Sequence, residues 1–151
     1  MDRASFFSSA DFAKVPFAAG GALPAQLIDH GAGRPGADKG DAAFSLERQH
    51  YVYAVRLPSR ALSMTIGGLQ PGQSTRRHRH NYETLIYVVE GRGVSVIGER
   101  EVAWAAGDAF YVPVWAWHHH MNSSADEPAL YVACENAPML QNLGVAVREE
   151  A

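Results

Sequence analysis

From Gly72 onward turn signals recur so often that the chain has no stretch reading as a helix of three turns, and this spacing constrains its fold more than any other feature. Leu69-Gln-Pro-Gly72 is a turn, as are Glu90-Gly-Arg-Gly93, Gly98-Glu99 and Ala106-Gly-Asp108. Strand patterns lie around and between them. His50 to Leu57 puts Tyr51, Tyr53, Val55 and Leu57 on one face, and Ala61 to Leu69 does the same for Leu62, Met64 and Ile66. Thr84 to Val89, Val94 to Ile97, Arg100 to Trp104, Ala109 to Val112 and Ala129 to Cys134 continue the series. Many short strands with regularly spaced turns make a sandwich or a small barrel.

The segment Thr84-Leu-Ile-Tyr-Val-Val89 is apolar on both faces, so it is expected to be covered on both sides. The outer cover is either the N-terminal arm or a second copy of the chain, and a homodimer is expected. The arm is residues 1–45: it is rich in Ala, Gly and Asp, Gly31 to Gly40 reads as irregular loop, and Phe6, Phe7, Phe12, Val15 and Phe17 could anchor it. Residues 46–140 then form the barrel and 141–151 a C-terminal tail. At 151 residues there is room for one domain with a real core and not for two of ordinary size. The net charge of −3, with Lys and Arg in no long run, argues against nucleic acid. Cys134 is the single cysteine, so no intrachain disulfide can form; it is expected to be a small buried apolar residue. Without a signal-like start or an apolar run of membrane-spanning length, the expected location is the cytoplasm.

Chemistry concentrates in two places. His78 and His80 are two residues apart in a strand pattern, so both point to one side and can reach one metal ion. A second cluster, His118, His119 and His120, lies about forty residues on; His118 and His120 share one face and His119 the other. Imidazoles without thiolate suit Fe, Zn, Ni or Cu. His30 and His50 read as a surface or satisfied core histidine. The many glycines form no phosphate loop.

Gly72, five residues, His78, Arg79, His80 and the later Gly91 resemble the first motif of the cupin superfamily. Gly107, five residues, Pro113, His118 and Asn122 resemble the second. The resemblance implies an all-β fold, a small double-stranded β-helix of the jelly-roll type with an irregular N-terminal arm. It also implies a metal at one mouth of the barrel, with His78, His80 and His118 as ligands. One ligand of the general pattern is missing: the glutamate four residues after the second histidine is Thr84 here. The adjacent Glu83 has the opposite strand parity and is expected to face away, unless a bulge turns it inward. A three-histidine set without carboxylate resembles the gentisate and salicylate dioxygenase branch, as do His78-Arg-His80 and Trp115-Ala-Trp117-His118. Those enzymes are usually two cupin domains in a chain more than twice as long.

The resemblance implies one divalent metal, Fe(II) first, with Zn, Mn or Ni as alternatives. It implies a dioxygenase acting on a small aromatic or organic acid. The competing readings are a non-oxidative isomerase, decarboxylase or cyclase using the ion as a Lewis acid, and a non-catalytic small-molecule binding or sensing barrel. His120 could sit beside the metal as an acid/base group, or be a polar barrel-lining residue. Arg76 shares parity with the ligands and could clamp a substrate carboxylate, or be a solvated arginine at the strand's start. Tyr82, Trp104, Trp115 and Trp117 could line an aromatic pocket; for Trp104 a core position is expected.

Overall fold

The computed structural model describes residues 22–32 and 42–151. Ten strands form two five-stranded antiparallel sheets. They are β1 (Tyr51–Ala54), β2 (Ser63–Leu69), β3 (His78–His80), β4 (Thr84–Glu90), β5 (Arg92–Ile97), β6 (Arg100–Ala105), β7 (Ala109–Val112), β8 (His118–Asn122), β9 (Ala129–Glu135) and β10 (Arg148–Glu150). One sheet runs β1-β2-β9-β4-β7 and the other β10-β3-β8-β5-β6. Two short helices, α1 (Ala42–Arg48) and α2 (Ala137–Asn142), are each of two turns or less, so no described helix reaches three turns. None is long and apolar enough to cross a membrane. The turn spacing led to a sandwich or small barrel, and the cupin resemblance implied the all-β jelly-roll form found here.

Alternation along the strands decides what fills the barrel. In β4, Thr84, Ile86 and Val88 are buried while Leu85, Tyr87 and Val89 are exposed. Paired with them, β9 turns Tyr131, Ala133 and Glu135 to the same inner side, and β2 adds Thr65, Gly67 and Leu69. Leu62 and Met64 are therefore on the outer face, both exposed. The apolar core joins the two sheets: Leu69, Ile86, Val88, Val112, Ala129 and Tyr131 from the first meet Trp104 of the second. Each such aliphatic side chain contributes about 1.5–3 kcal/mol on burial. Gly67 has no side chain for a reason: a Cβ there would collide with the Tyr131 ring that crosses the barrel. Gly91 and Gly107 turn the chain with φ of 81° and 95°, the left-handed region that side chains resist.

Asn122, matched to the second motif, is a structural staple. Its Nδ2 donates to the carbonyls of Leu69 (3.1 Å) and Glu127 (2.8 Å), and its Oδ1 accepts from the Ser124 N–H (2.9 Å). It is almost fully buried, and these three bonds hold the loop after β8 against the end of β2.

Cys134 departs from expectation: it is only partly buried, because its register partners Met64 and Leu85 place it on the outer face. The outer side of β4 is also uncovered among the described residues. Of the arm, residues 22–32 reach the barrel through Asp29, which accepts from the Tyr53 hydroxyl (3.0 Å) and the Arg56 N–H (2.8 Å). Phe6, Phe7, Phe12, Val15 and Phe17 lie outside the described residues. Within residues 141–151, β10 is an edge strand paired with β3, Arg148 opposite His80 and Glu150 opposite His78.

Candidate metal centre

Two neighbouring strands bring the histidines together. His78 and His80 lie on one face of β3, and His118 of β8 is the cross-strand partner of His78, so all three imidazoles enter the same end of the barrel. Ring centroids are 4.2 Å apart for His78–His118, 4.8 Å for His80–His118 and 5.7 Å for His78–His80. One nitrogen from each lies within 4.8 Å of the others, a spread that one metal ion can span.

The hydrogen bonds fix which nitrogen that is. Nδ1 of His78 faces the Arg76 carbonyl at 2.8 Å, Nδ1 of His80 the Tyr82 carbonyl at 2.8 Å, and Nδ1 of His118 the Ala116 carbonyl at 2.9 Å. A carbonyl only accepts, so each Nδ1 carries the proton and each Nε2 keeps its lone pair. Such a backbone bond is what holds a metal-binding imidazole in one tautomer and orientation.

His120 has the opposite arrangement. Its Nδ1 lies 2.7 Å from Ser95 Oγ, its cross-strand partner on β5, and that hydroxyl accepts from Trp104 Nε1 at 2.9 Å. The Ser95 proton has one acceptor within this chain of bonds, His120 Nδ1, so full satisfaction puts the His120 proton on Nε2. His120 therefore presents a donor rather than a lone pair. It lines the same cavity, its ring 5.6 Å from that of His118.

Burial keeps the cluster neutral. The His78 imidazole is pushed down to about 2, by burial first and then by the neighbouring His118 and Arg148. His80 is pushed down to about 4, by burial and then His118. Burial lowers His118 too, and holds His120 well below the ordinary value. Neutral imidazole is the form that ligates a metal.

Thr84 and Glu83 take the sides expected of them. Thr84 is buried and lines the cavity; Glu83 is exposed and accepts from the Tyr111 hydroxyl at 2.8 Å on the outer face. Yet the cavity does hold a carboxylate. Glu135, register partner of Thr84 on β9, accepts from Thr84 Oγ1 at 3.2 Å. Burial raises its pKa, and the Thr84 bond partly offsets this. Strand parity from Tyr131 through Ala133 marks it as inward, but the apolar strand pattern Ala129 to Cys134 ends one residue before it.

The aromatic candidates separate. Tyr82 lines the cavity and stacks on His80, centroids 3.8 Å apart and planes 3° apart. Trp104 is core, as expected. Trp115 and Trp117 do not line the cavity: the Arg79 guanidinium lies 4.5 Å and 4.6 Å from their ring centroids and is held by Glu149 of β10. Trp115 has a φ of 64°, and its N–H donates to the His80 carbonyl at 2.7 Å, tying this loop to the ligand strand. His30 is exposed, and His119 faces away from the cavity. His50 lines the cavity, where its Nδ1 takes the Tyr51 carbonyl at 3.0 Å, a satisfied core histidine.

Arg76 stands at the cavity wall but is engaged elsewhere: it is half-exposed and its Nη1 holds Glu150 Oε2 at 2.9 Å. Two further arginines line the cavity, Arg48 at the end of α1 and Arg148 on β10. Neither belongs to a motif, and both reach the site from elements far away in sequence.

A jelly roll with three inward Nε2 lone pairs at one mouth is the architecture of a metal-binding cupin. Residues 66–134, a little under half of the chain, match the cupin domain family, the fold is that of an all-β cupin, and the site resembles the gentisate and salicylate dioxygenase branch. The 5-aminosalicylate 1,2-dioxygenase of Comamonas sp is 37% identical over 83 residues, which cover 55% of this chain and 21% of that protein. Gentisate 1,2 dioxygenase 1 of Aquipseudomonas alcaligenes is 39% identical over 87 residues, 54% of this chain and 24% of that one. The crystal structure of the salicylate 1,2-dioxygenase of Pseudoaminobacter salicylatoxidans with gentisate superposes with a TM-score of 0.64 at 25% identity, covering 76% of this chain and 32% of that one. The chain thus spans about a fifth to a quarter of these curated relatives' length.

Proposed function

We propose that the chain binds one divalent metal ion, Fe(II), through Nε2 of His78, His80 and His118, and acts as a dioxygenase on a small aromatic acid. The observation that carries this reading is the convergence of His78, His80 and His118, one nitrogen of each within 4.8 Å of the others and each Nδ1 on a backbone carbonyl, whereas His120 Nδ1 meets the Ser95 hydroxyl. Fe(II), when bound, supplies the activation of O₂ and of a substrate held beside it. The protein's own groups do the rest. His120 donates from Nε2 to a substrate oxygen, a stronger bond in a dry barrel than in water. Tyr82, flat against His80, keeps that imidazole from rotating. Arg76 draws an anionic substrate to the rim. The buried walls formed by Ile86, Ala133 and Tyr131 exclude water.

The same reading extends to assembly. Leu85, Tyr87 and Val89 expose 62%, 52% and 41% of their surface on one side of β4. Leu27 and Ile28 of the arm are exposed as well. A second copy covering the outer face of β4 would bury Leu85, Tyr87 and Val89, which supports a homodimer.

The test is anaerobic reconstitution of tag-free protein with Fe(II), followed by oxygen uptake with gentisate, salicylate and 5-aminosalicylate. Uptake matching substrate loss, only in the Fe(II) form, is expected. Turnover of the same acids without oxygen uptake would move the assignment to a non-oxidative enzyme.

A further inference from the structure

The cavity contains a donor that the metal reading does not use. Arg148 lies opposite His80 in the β10–β3 register, so both side chains enter the barrel on the same face. Its Nη2 is held by Glu150 Oε1 at 3.0 Å. Its Nε is buried with no hydrogen-bond partner among the described residues. A buried donor without an acceptor is costly, and a charged one more so.

Glu150 explains how that donor is held. Its carboxylate gathers Arg76 (2.9 Å), Arg148 (3.0 Å) and Arg48 (4.0 Å), yet Glu150 itself is not part of the cavity wall. On the same face of β10 as Arg148, it gathers the three guanidiniums at the cavity's edge and offsets one of their three charges. Even with the Glu135 carboxyl in the cavity, the three guanidiniums outnumber the two acids beside the histidines, and the Nε–H of Arg148 is a buried donor there without a hydrogen-bond partner, although the side chain also bonds the Tyr82 hydroxyl.

We propose that Arg148 is the residue that recognises the substrate's carboxylate, taking one oxygen on its Nε–H, and that Glu150 is the positioning residue that fixes its orientation. This rests on the small-acid reading above and deepens it: selectivity for an anion comes from the C-terminal strand rather than from either histidine motif. Arg76, half-exposed and occupied by Glu150, then serves the rim only.

The experiment is a binding measurement without turnover. Co(II)-loaded protein is titrated anaerobically by calorimetry with gentisate and with gentisamide, its neutral amide, which keeps the chelating oxygens but not the charge. Arg148→Met should weaken gentisate by about tenfold or more, the loss of one charge-assisted hydrogen bond. Gentisamide binding and metal content should stay within about twofold of wild type, which also shows that the variant is folded. Arg148→Lys should restore only part of the loss, because an ammonium lacks the fixed Nε–H. Glu150→Gln should weaken gentisate less than Arg148→Met does and leave gentisamide unchanged.

Equal losses for acid and amide would make Arg148 merely structural and overturn the proposal. So would undiminished gentisate binding in Arg148→Met, wild-type protein that binds no acid, or tighter binding in Glu150→Gln, which would make Glu150 a competitor. Arg148-dependent binding without any oxygen uptake would leave this inference standing and remove the dioxygenase reading instead. Oxygen uptake with an unaltered KM in Arg148→Met would do the reverse.

Discussion

The two ends of the barrel are built from the same strands and are chemically opposite. Along β9, Ala129 and Tyr131 sit in the apolar core, while Glu135 closes the strand at the histidine mouth. Along β4, Val88 is core and Thr84 is mouth. Along β8 the order runs from His118 and His120 at the site to the Asn122 staple. Alternation decides whether a residue points inward; the distance along the strand decides whether inward means core or chemistry. The apolar end supplies stability, and the mouth spends part of it on buried neutral histidines, an acid and three arginines.

If the ends are separable in this way, variants at each should fail differently. Leu69→Ala, at a fully buried core position, should cost about 2–5 kcal/mol in chemical denaturation and weaken the whole domain. His80→Ala should remove most of the bound metal while the denaturation midpoint of the metal-free protein falls much less; unchanged metal content would break the ligand assignment.

A pH titration sharpens the contrast. His80 and His50 are held near 4 and His78 near 2, against about 6.5 when unfolded, so over this range the unfolded chain binds more protons than the folded one. Stability of the metal-free protein should therefore be full above about pH 6.5 and decline as pH falls toward 4. The decline should be shallower in His80→Ala and unchanged in slope in Leu69→Ala. A melting temperature flat from pH 7 to pH 4 would contradict the buried neutral cluster. The smallest effect belongs to Thr84→Val, which removes only the bond to Glu135. It should cost about 1 kcal/mol and leave metal content intact.

Sequence legibility divides along similar lines. The strand series, the shared face of His78 and His80, and the opposite sides of Thr84 and Glu83 follow from period-two alternation, because those residues lie close together in the chain; His118, about forty residues on, came from the cupin resemblance. Arg76 shows the limit of parity: it precedes β3, and Glu150, 74 residues on, captures it. Arg48, Glu135 and Arg148 were not legible as site residues. They arrive from α1, β9 and β10, and what brings them to one cavity is sheet order, which no local pattern states. Trp115 and Trp117 looked like pocket aromatics beside His118, but the turn at Trp115 points them toward Arg79 instead.

The central claim is that three histidines, and not four, are poised as ligands. Anomalous diffraction from crystals loaded with Co(II) tests it directly. The account predicts one peak per chain in contact with Nε2 of His78, His80 and His118, with His120 still bonded through Nδ1 to Ser95. A peak ligated by His120 or by Glu135, or a metal bound away from this cluster, would contradict it.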